Sequence, residues 1–187
     1  MKPEGLYHAE FLGINNQIRP LYSQAAPNFS ASLRNPRATL TLIGPADRDL
    51  LHAAAVRAEI ARAPGDIRLA GCLDDEALRA ELDRHDLLVL PSLYEGFGIV
   101  LAEAVSHGLA VIATRVGAIP EVVRDGEEAL LVPPADTRAL AAALRRVEGD
   151  RGLLAAMQAK AIARSHDLPR WSDTQECFAE ALRALSA

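Results

Sequence analysis

The chain has 187 residues, of which 50% are hydrophobic and 24% charged, the composition of a folded globular protein and not of a disordered tail. Its net charge of -5 gives no general attraction to nucleic acid, so we expect no nucleic-acid partner. No apolar run approaches the roughly 18 residues that can span a bilayer, which leaves only peripheral membrane contact open.

The chain divides into an irregular start and a regular remainder. Segment 1–36 contains prolines at 3, 20, 27 and 36 among scattered polar residues, which predicts a poorly defined N-terminal segment. After it, short apolar runs predict buried strands at 38–43, 67–71, 86–90, 109–113 and 129–132. Between them, helices are predicted at 47–63, from Asp74 or Asp75 onward, after Gly98, and in 117–124. This alternation predicts an α/β fold with a Rossmann-like, doubly wound parallel sheet.

The C-terminal part of the sequence is helical. From Asp136, apolar residues recur with helical spacing at 140, 143, 144 and 147. A second helical segment has its apolar positions at Leu153, Leu154, Met157 and Ile162. After Pro169, a last amphipathic segment contains Trp171, Cys177, Phe178, Leu182 and Leu185. Its apolar side needs a surface, either on this domain or on a partner.

The stretch 91–104 joins a predicted strand to a predicted helix. Pro91 ends the strand, and Gly96 and Gly98 let the backbone approach a ligand closely. A helix from Gly98 to His107 presents unpaired N–H groups and the positive end of its dipole to the loop. At the carboxyl end of a strand in an open α/β sheet, this arrangement suits a phosphate.

Two glutamates flank the start of this helix, and each has two interpretations. Glu103 could accept hydrogen bonds from ribose hydroxyls, and Glu95 could contact the hydroxyls of a transferred group. Alternatively, Glu95 caps the helix and Glu103 is a solvated helix residue. The spacing of the two carboxylates does not decide between these roles.

The run from Glu95 to Glu103, with Pro91 and Ser92 before it and Gly108 after it, resembles the E-x7-E signature of retaining glycosyltransferases with the GT-B fold. Segments 42–44, 71–73, 117–123 and 125–126 also match the family's C-terminal, donor-binding half in order and spacing. The similarity covers about 37–185 and is most specific over 86–133. It implies that 37–187 form a GT-B C-terminal nucleotide-sugar-binding domain with a helical tail.

The resemblance also implies a substrate and roles for individual residues. The donor would be a nucleoside diphosphate sugar, whose glycosyl group is transferred with retention and without a bound metal or other cofactor. Glu103 would bind the ribose, and Glu95 would be the catalytic residue near the reacting carbon. Leu73 would pack against the base, and Gly44 would keep the floor of the site open. The loop that includes Gly96 would meet the diphosphate through the backbone amides of Phe97, Gly98, Ile99 and Val100.

The sequence departs from the family in its cations. The Gly-Arg and Lys-Gly pairs that grip the diphosphate in the family have only a faint echo, at 2–5. The resemblance further implies an N-terminal half as partner, which binds an acceptor that could be a sugar, a lipid or a small molecule. We therefore expect a glycosyltransferase domain that is incomplete without that half. The alternatives are a non-catalytic nucleotide-binding or protein-interaction remnant and half of a GT-B epimerase or phosphorylase.

Four residues outside the central stretch could also take part in chemistry or ligand binding. Cys72 and Cys177 lack a paired spacing, so neither a zinc site nor a disulfide framework is indicated, and reduced thiols are consistent with a cytoplasmic protein. His107 could act as an acid or base, although a helix C-terminus is also a good structural position for histidine. Arg115 could reach an anionic donor or could be a surface arginine.

Overall fold

The computed structural model describes residues 39–44, 50–62, 66–168 and 171–185. The predicted N-terminal segment, the predicted helix start at 47–49 and Pro169 lie outside the described residues, and the domain boundary after residue 36 stays a prediction. Within the described part, the strands are β1 Thr39–Ile43, β2 Asp66–Gly71, β3 Leu87–Leu90, β4 Ala110–Thr114 and β5 Ala129–Val132. The helices are α1 Leu50–Arg62, α2 Asp75–Arg84, α3 Ile99–Ser106, α4 Ile119–Val122, α5 Thr137–Gly149, α6 Arg151–Ser165 and α7 Trp171–Leu185.

All five strands pair in parallel, as the alternation of strand and helix predicts. The described strands form two hydrogen-bonded ladders, β1–β2 and β3–β4–β5, where the sequence predicts one sheet. Apolar packing connects the two ladders, because Leu40 and Leu42 of β1 belong to the same core cluster as Leu87 and Val89 of β3. The parallel, helix-covered arrangement confirms the Rossmann-like α/β class.

The burial of strand β3 on both faces explains why its sequence is continuously apolar. Leu87 and Val89 face a core shared with α1, α5 and α6. Leu88 and Leu90 face a second core, which is shared with α2, α3 and α4. A strand that is buried on both faces has no position at which a polar side chain would reach solvent.

Aspartates set the starts of three helices. The Asp74 side chain accepts a hydrogen bond from the Ala77 amide at 2.8 Å, so it is the N-cap of α2. Asp136 and Asp150 cap α5 and α6 in the same way. Leu82 and His85 of the α2 region are buried, so this side of the helix faces the core.

The C-terminal helices follow the predicted pattern with one correction. Leu154 and Met157 of α6 are buried, but Ile162 is 56% exposed and Ala161 is buried in its place. The spacing 154, 157, 161 keeps one face of the helix toward the core, and residue 162 falls one position outside it. On α7, Phe178 is 66% exposed. None of the described helices has the length and apolarity that crossing a bilayer requires.

Candidate functional site

The loop 91–98 connects β3 to α3 at the carboxyl edge of the larger ladder. Because β3 and β4 are parallel, the segment after β4 lies at the same edge. The two segments are joined by two hydrogen bonds. The Thr114 hydroxyl donates to the Ser92 carbonyl in a buried position, and the Ala118 amide donates to the Glu95 carbonyl at 3.2 Å. The Glu95 loop is therefore held by its neighbour at its beginning and in its middle.

The Glu95 carboxylate folds back onto the start of α3. Its Oε1 atom accepts a hydrogen bond from the Gly98 amide at 3.0 Å and a longer one from the Phe97 amide at 3.4 Å. Gly98 is the N-cap residue with φ +73°, a left-handed conformation that glycine adopts without strain. Glu95 thus caps the helix, as one of its two interpretations expects. Two of the four amides that the resemblance assigns to a diphosphate hold a carboxylate here.

The first turn of α3 supplies the other two amides. The N–H groups of Ile99 and Val100 belong to the turn of a helix that has no carbonyl partners within the helix. The Val100 side chain is buried in the core, whereas Ile99 and Phe97 are 62% and 71% exposed. The backbone and dipole at this end therefore favour an anion, and the side chains beside it are largely solvent-accessible.

Glu103 lies one turn further along α3, about 6 Å from Ile99 along the helix axis. The residue is exposed, and its carboxylate makes no hydrogen bond or ion pair with the described residues. Its backbone carbonyl is occupied by the Ser106 hydroxyl at 2.7 Å. The side chain is thus available to a ligand that approaches the start of α3.

Gly44 and Leu73 belong to the smaller ladder. Gly44 follows β1 and donates its amide to the Gly71 carbonyl at 2.9 Å. Leu73 is half-buried between β2 and α2, two residues after Gly71. Among the described residues, no hydrogen bond joins this pair to the loop of Glu95. Gly44 and Leu73 therefore lie at the smaller ladder. The other predicted site residues, including the exposed Gly96, lie at the larger ladder.

His107 and Arg115 are both engaged with carboxylates. His107 ends α3, and its Nδ1 atom lies 2.7 Å from Asp83 Oδ1 on α2. Arg115 pairs with Asp125, which also accepts a hydrogen bond from the Leu131 amide at 2.9 Å. These contacts match the structural interpretations of the two residues. In the part of the chain that the structure describes, no group of three metal-ligating side chains is found, and the metal-free expectation stays a prediction.

Gly117 is a site residue to which the sequence assigned no role. It has φ +50°, and a Cβ atom at this position would lie 1.9 Å from the Glu95 carbonyl oxygen. The sequence placed Gly117 at the start of the predicted segment 117–124 and within a run that resembles the family. Its closeness to Glu95 depends on how two loops meet and becomes visible only in the folded chain.

Two solved structures share this fold. HepE from Anabaena, crystallised in complex with UDP and glucose, matches with a TM-score of 0.79 at 20% identity, over 96% of this chain and 49% of its own. The C-terminal domain of LpcC, a group 1 family glycosyl transferase from Francisella tularensis, matches with a TM-score of 0.70 at 25% identity, over 84% of this chain and 83% of that domain. The likeness to the LpcC domain and the match of residues 5–150 to a glycosyltransferase family place the molecule in the class of glycosyltransferase C-terminal domains.

Comparison of the sequence with protein families identifies the family of this chain. The model of the glycosyl transferases group 1 matches residues 5–150, and the chain belongs to this family. Glycogen synthase of Mycobacterium tuberculosis is 38% identical over 117 residues, which cover 62% of this chain and 28% of that protein. The chain thus spans less than a third of the length of this curated relative.

Proposed function

We propose that this chain binds a nucleoside diphosphate sugar and, together with an N-terminal half, transfers the glycosyl group with retention. Membership of the group 1 family supports glycosyl transfer. The complex of HepE with UDP and glucose supports a nucleotide donor. The observation that supports the proposal most directly is the hydrogen bond from the Gly98 amide to the Glu95 carboxylate, because the start of α3 already donates to an anionic oxygen.

In this proposal the diphosphate replaces the Glu95 carboxylate. Its oxygens accept hydrogen bonds from the amides of 97–100, next to the positive end of the α3 dipole. Glu103 then accepts hydrogen bonds from the ribose hydroxyls. Leu73 packs against the base, and Gly44 leaves the floor of the site open. These roles give the E-x7-E spacing its function.

The displaced Glu95 then lies near the sugar and the reacting carbon. Transfer breaks the bond between the anomeric carbon and the diphosphate oxygen, and the acceptor hydroxyl forms its bond on the same face. The proton of that hydroxyl passes to the departing diphosphate. The amides at the start of α3 stabilise the negative charge on the leaving group, so the step uses no metal.

The isolated chain should bind its donor weakly. The family's two cationic pairs have no clear counterpart in the sequence, and charge-assisted hydrogen bonds of this kind contribute about 1.5 to 3 kcal/mol each. We therefore assign completion of the cleft and acceptor binding to the N-terminal half.

Calorimetric titration with UDP, GDP and ADP tests the proposal. We expect one of them to bind at up to millimolar concentration. Glu103→Ala should weaken that binding at least about tenfold, because it removes hydrogen bonds between ribose and a charged acceptor. Glu180→Ala, at an exposed position on α7, is the matched control and should leave the affinity unchanged.

Two results would refute parts of this account. If none of the three nucleotides binds at millimolar concentration, the nucleotide site is refuted. If Glu103→Ala and Glu180→Ala bind equally well, the ribose assignment is refuted.

A further inference from the structure

We propose that segment 114–118, which contains Gly117, positions Glu95 and the amides at the start of α3. The contact between the two segments is observed, and its consequence for donor binding rests on the proposed function. Gly117 is a positioning residue in this account, since it acts on the site through the backbone of Glu95.

The approach of the two backbones admits only glycine at position 117. A Cβ atom there would lie 1.9 Å from the Glu95 carbonyl oxygen, 3.0 Å from its carbonyl carbon and 3.4 Å from its nitrogen. Real Cβ contacts essentially never fall below 3.0 Å, so one segment would have to move by about an ångström. The same carbonyl oxygen accepts the Ala118 amide at 3.2 Å, which fixes its direction as well as its distance.

Segment 114–118 is itself well anchored. Thr114 is buried and donates its hydroxyl to the Ser92 carbonyl, and the Arg115 amide donates to the Val132 carbonyl of β5 at 2.8 Å. Beyond the turn, Ile119 is completely buried in the core, and its amide donates to the Val116 carbonyl at 3.1 Å. The loop of Glu95, in which Gly96 and Phe97 are exposed, is therefore the part that would shift if a Cβ atom were added at position 117.

A shift of this loop would displace the protein groups that are proposed to bind the donor. Glu95 is three residues before Gly98, and its carboxylate reaches the Gly98 amide at 3.0 Å. Moving the Glu95 backbone by about an ångström would therefore break or lengthen that hydrogen bond, whose useful range ends near 3.2 Å. It would also displace the amide of Phe97, which belongs to the same loop.

Gly117→Ala tests the inference, with Gly126→Ala as its matched control. Both glycines have positive φ, +50° at 117 and +79° at 126, so both substitutions strain the backbone. A Cβ atom at 126 would meet nothing within 4 Å, so only the substitution at 117 disturbs Glu95. The first readout is hydrogen exchange of the Gly98 amide, which needs no ligand. The second is the affinity for UDP.

We expect Gly117→Ala to raise the exchange rate of the Gly98 amide about tenfold or more, because the hydrogen bond that protects it is lost. UDP affinity should fall at least about tenfold in the same variant, because the displaced amides of Phe97 and Gly98 no longer meet the diphosphate. Gly126→Ala should leave both quantities within about twofold of the unsubstituted chain. Equal effects of the two substitutions, or unchanged Gly98 exchange in folded Gly117→Ala, would overturn the inference.

The exchange readout separates this inference from the proposed function. If the unsubstituted chain binds no UDP, the UDP-donor form of the proposed function fails, and Gly98 exchange alone decides whether segment 114–118 positions the loop. If Gly117→Ala does not fold, Thr114→Val replaces it, because valine keeps the shape and removes the donor to Ser92. Gly98 exchange should then rise in Thr114→Val and return toward the original rate in Thr114→Ser. Unchanged exchange in a folded Thr114→Val chain would contradict the inference.

Discussion

At the scale of single residues, Glu95 has two tasks that compete. In this structure its carboxylate occupies the Gly98 amide, and in the proposed complex a diphosphate oxygen takes that place. A carboxylate and a diphosphate cannot both accept from this N–H, and their negative charges repel each other. Glu95 must therefore leave the amide before the donor binds.

Glu95→Gln should accordingly tighten the binding of UDP by about fivefold. A neutral amide oxygen is a weaker acceptor than a carboxylate by about 1 kcal/mol, and the like-charge repulsion disappears. Calorimetric titration measures the change, with Glu180→Gln as a control for the loss of one negative charge. UDP lacks the sugar that Glu95 is proposed to contact, so weaker binding by Glu95→Gln would show that this carboxylate assists the nucleotide instead of competing with it.

Some of these residue contacts could be predicted from the sequence. The cap by Glu95 is local, spans three residues and was one of two interpretations available from the spacing. The close approach of Gly117 and the hydrogen bond from Thr114 to Ser92 join segments that are distant in sequence, and no local pattern encodes them. Arg115 is similar, because its partner Asp125 is set by the path of the chain after α4.

At the scale of elements, α3 combines a structural face with a functional end. Leu101 is completely buried between the helix and the sheet, whereas Ile99 in the first turn is largely exposed. The Leu101 side chain also fills the space beside Gly98. The core face therefore fixes the helix whose start presents the amides.

Leu101→Ala should lower the free energy of unfolding by about 2 to 5 kcal/mol, because it leaves a cavity in a fully buried position. Ile99→Ala keeps the same amide on an exposed side chain, and its effect should stay within about 0.5 kcal/mol. Urea unfolding of both variants measures the difference. Similar losses for the two substitutions would contradict the assignment of the buried face.

The predicted elements were most accurate where the determining signals are local. Apolar runs ended by Gly or Pro gave the end of β1 and both ends of β3 to within one residue, and Asp74, one of two predicted caps, marks the start of α2. Ile162 was placed wrongly because neighbouring Ala161 fits the same helical period, and only packing decides between them. The separation of β1 from β3 likewise depends on contacts between strands that their own sequences do not specify.

At the scale of the whole molecule, two ladders share one apolar core, and each contributes predicted site residues at its carboxyl end. The α/β class follows from the alternation of strand and helix, which runs from β1 to β5. The base and sugar of the proposed donor, and the identity of the proposed acceptor, depend on side chains around the complete cleft. HepE, of which this chain covers 49%, illustrates how much longer a protein with this fold can be.

Amide chemical-shift mapping of the folded chain during titration with UDP tests directly whether the donor binds at the start of α3. We expect the largest changes at the amides of 97–100, with smaller changes near Leu73 and none along α5 and α6. Perturbations centred on α5 or α6, or no perturbation at millimolar UDP, would contradict a UDP site at the start of α3.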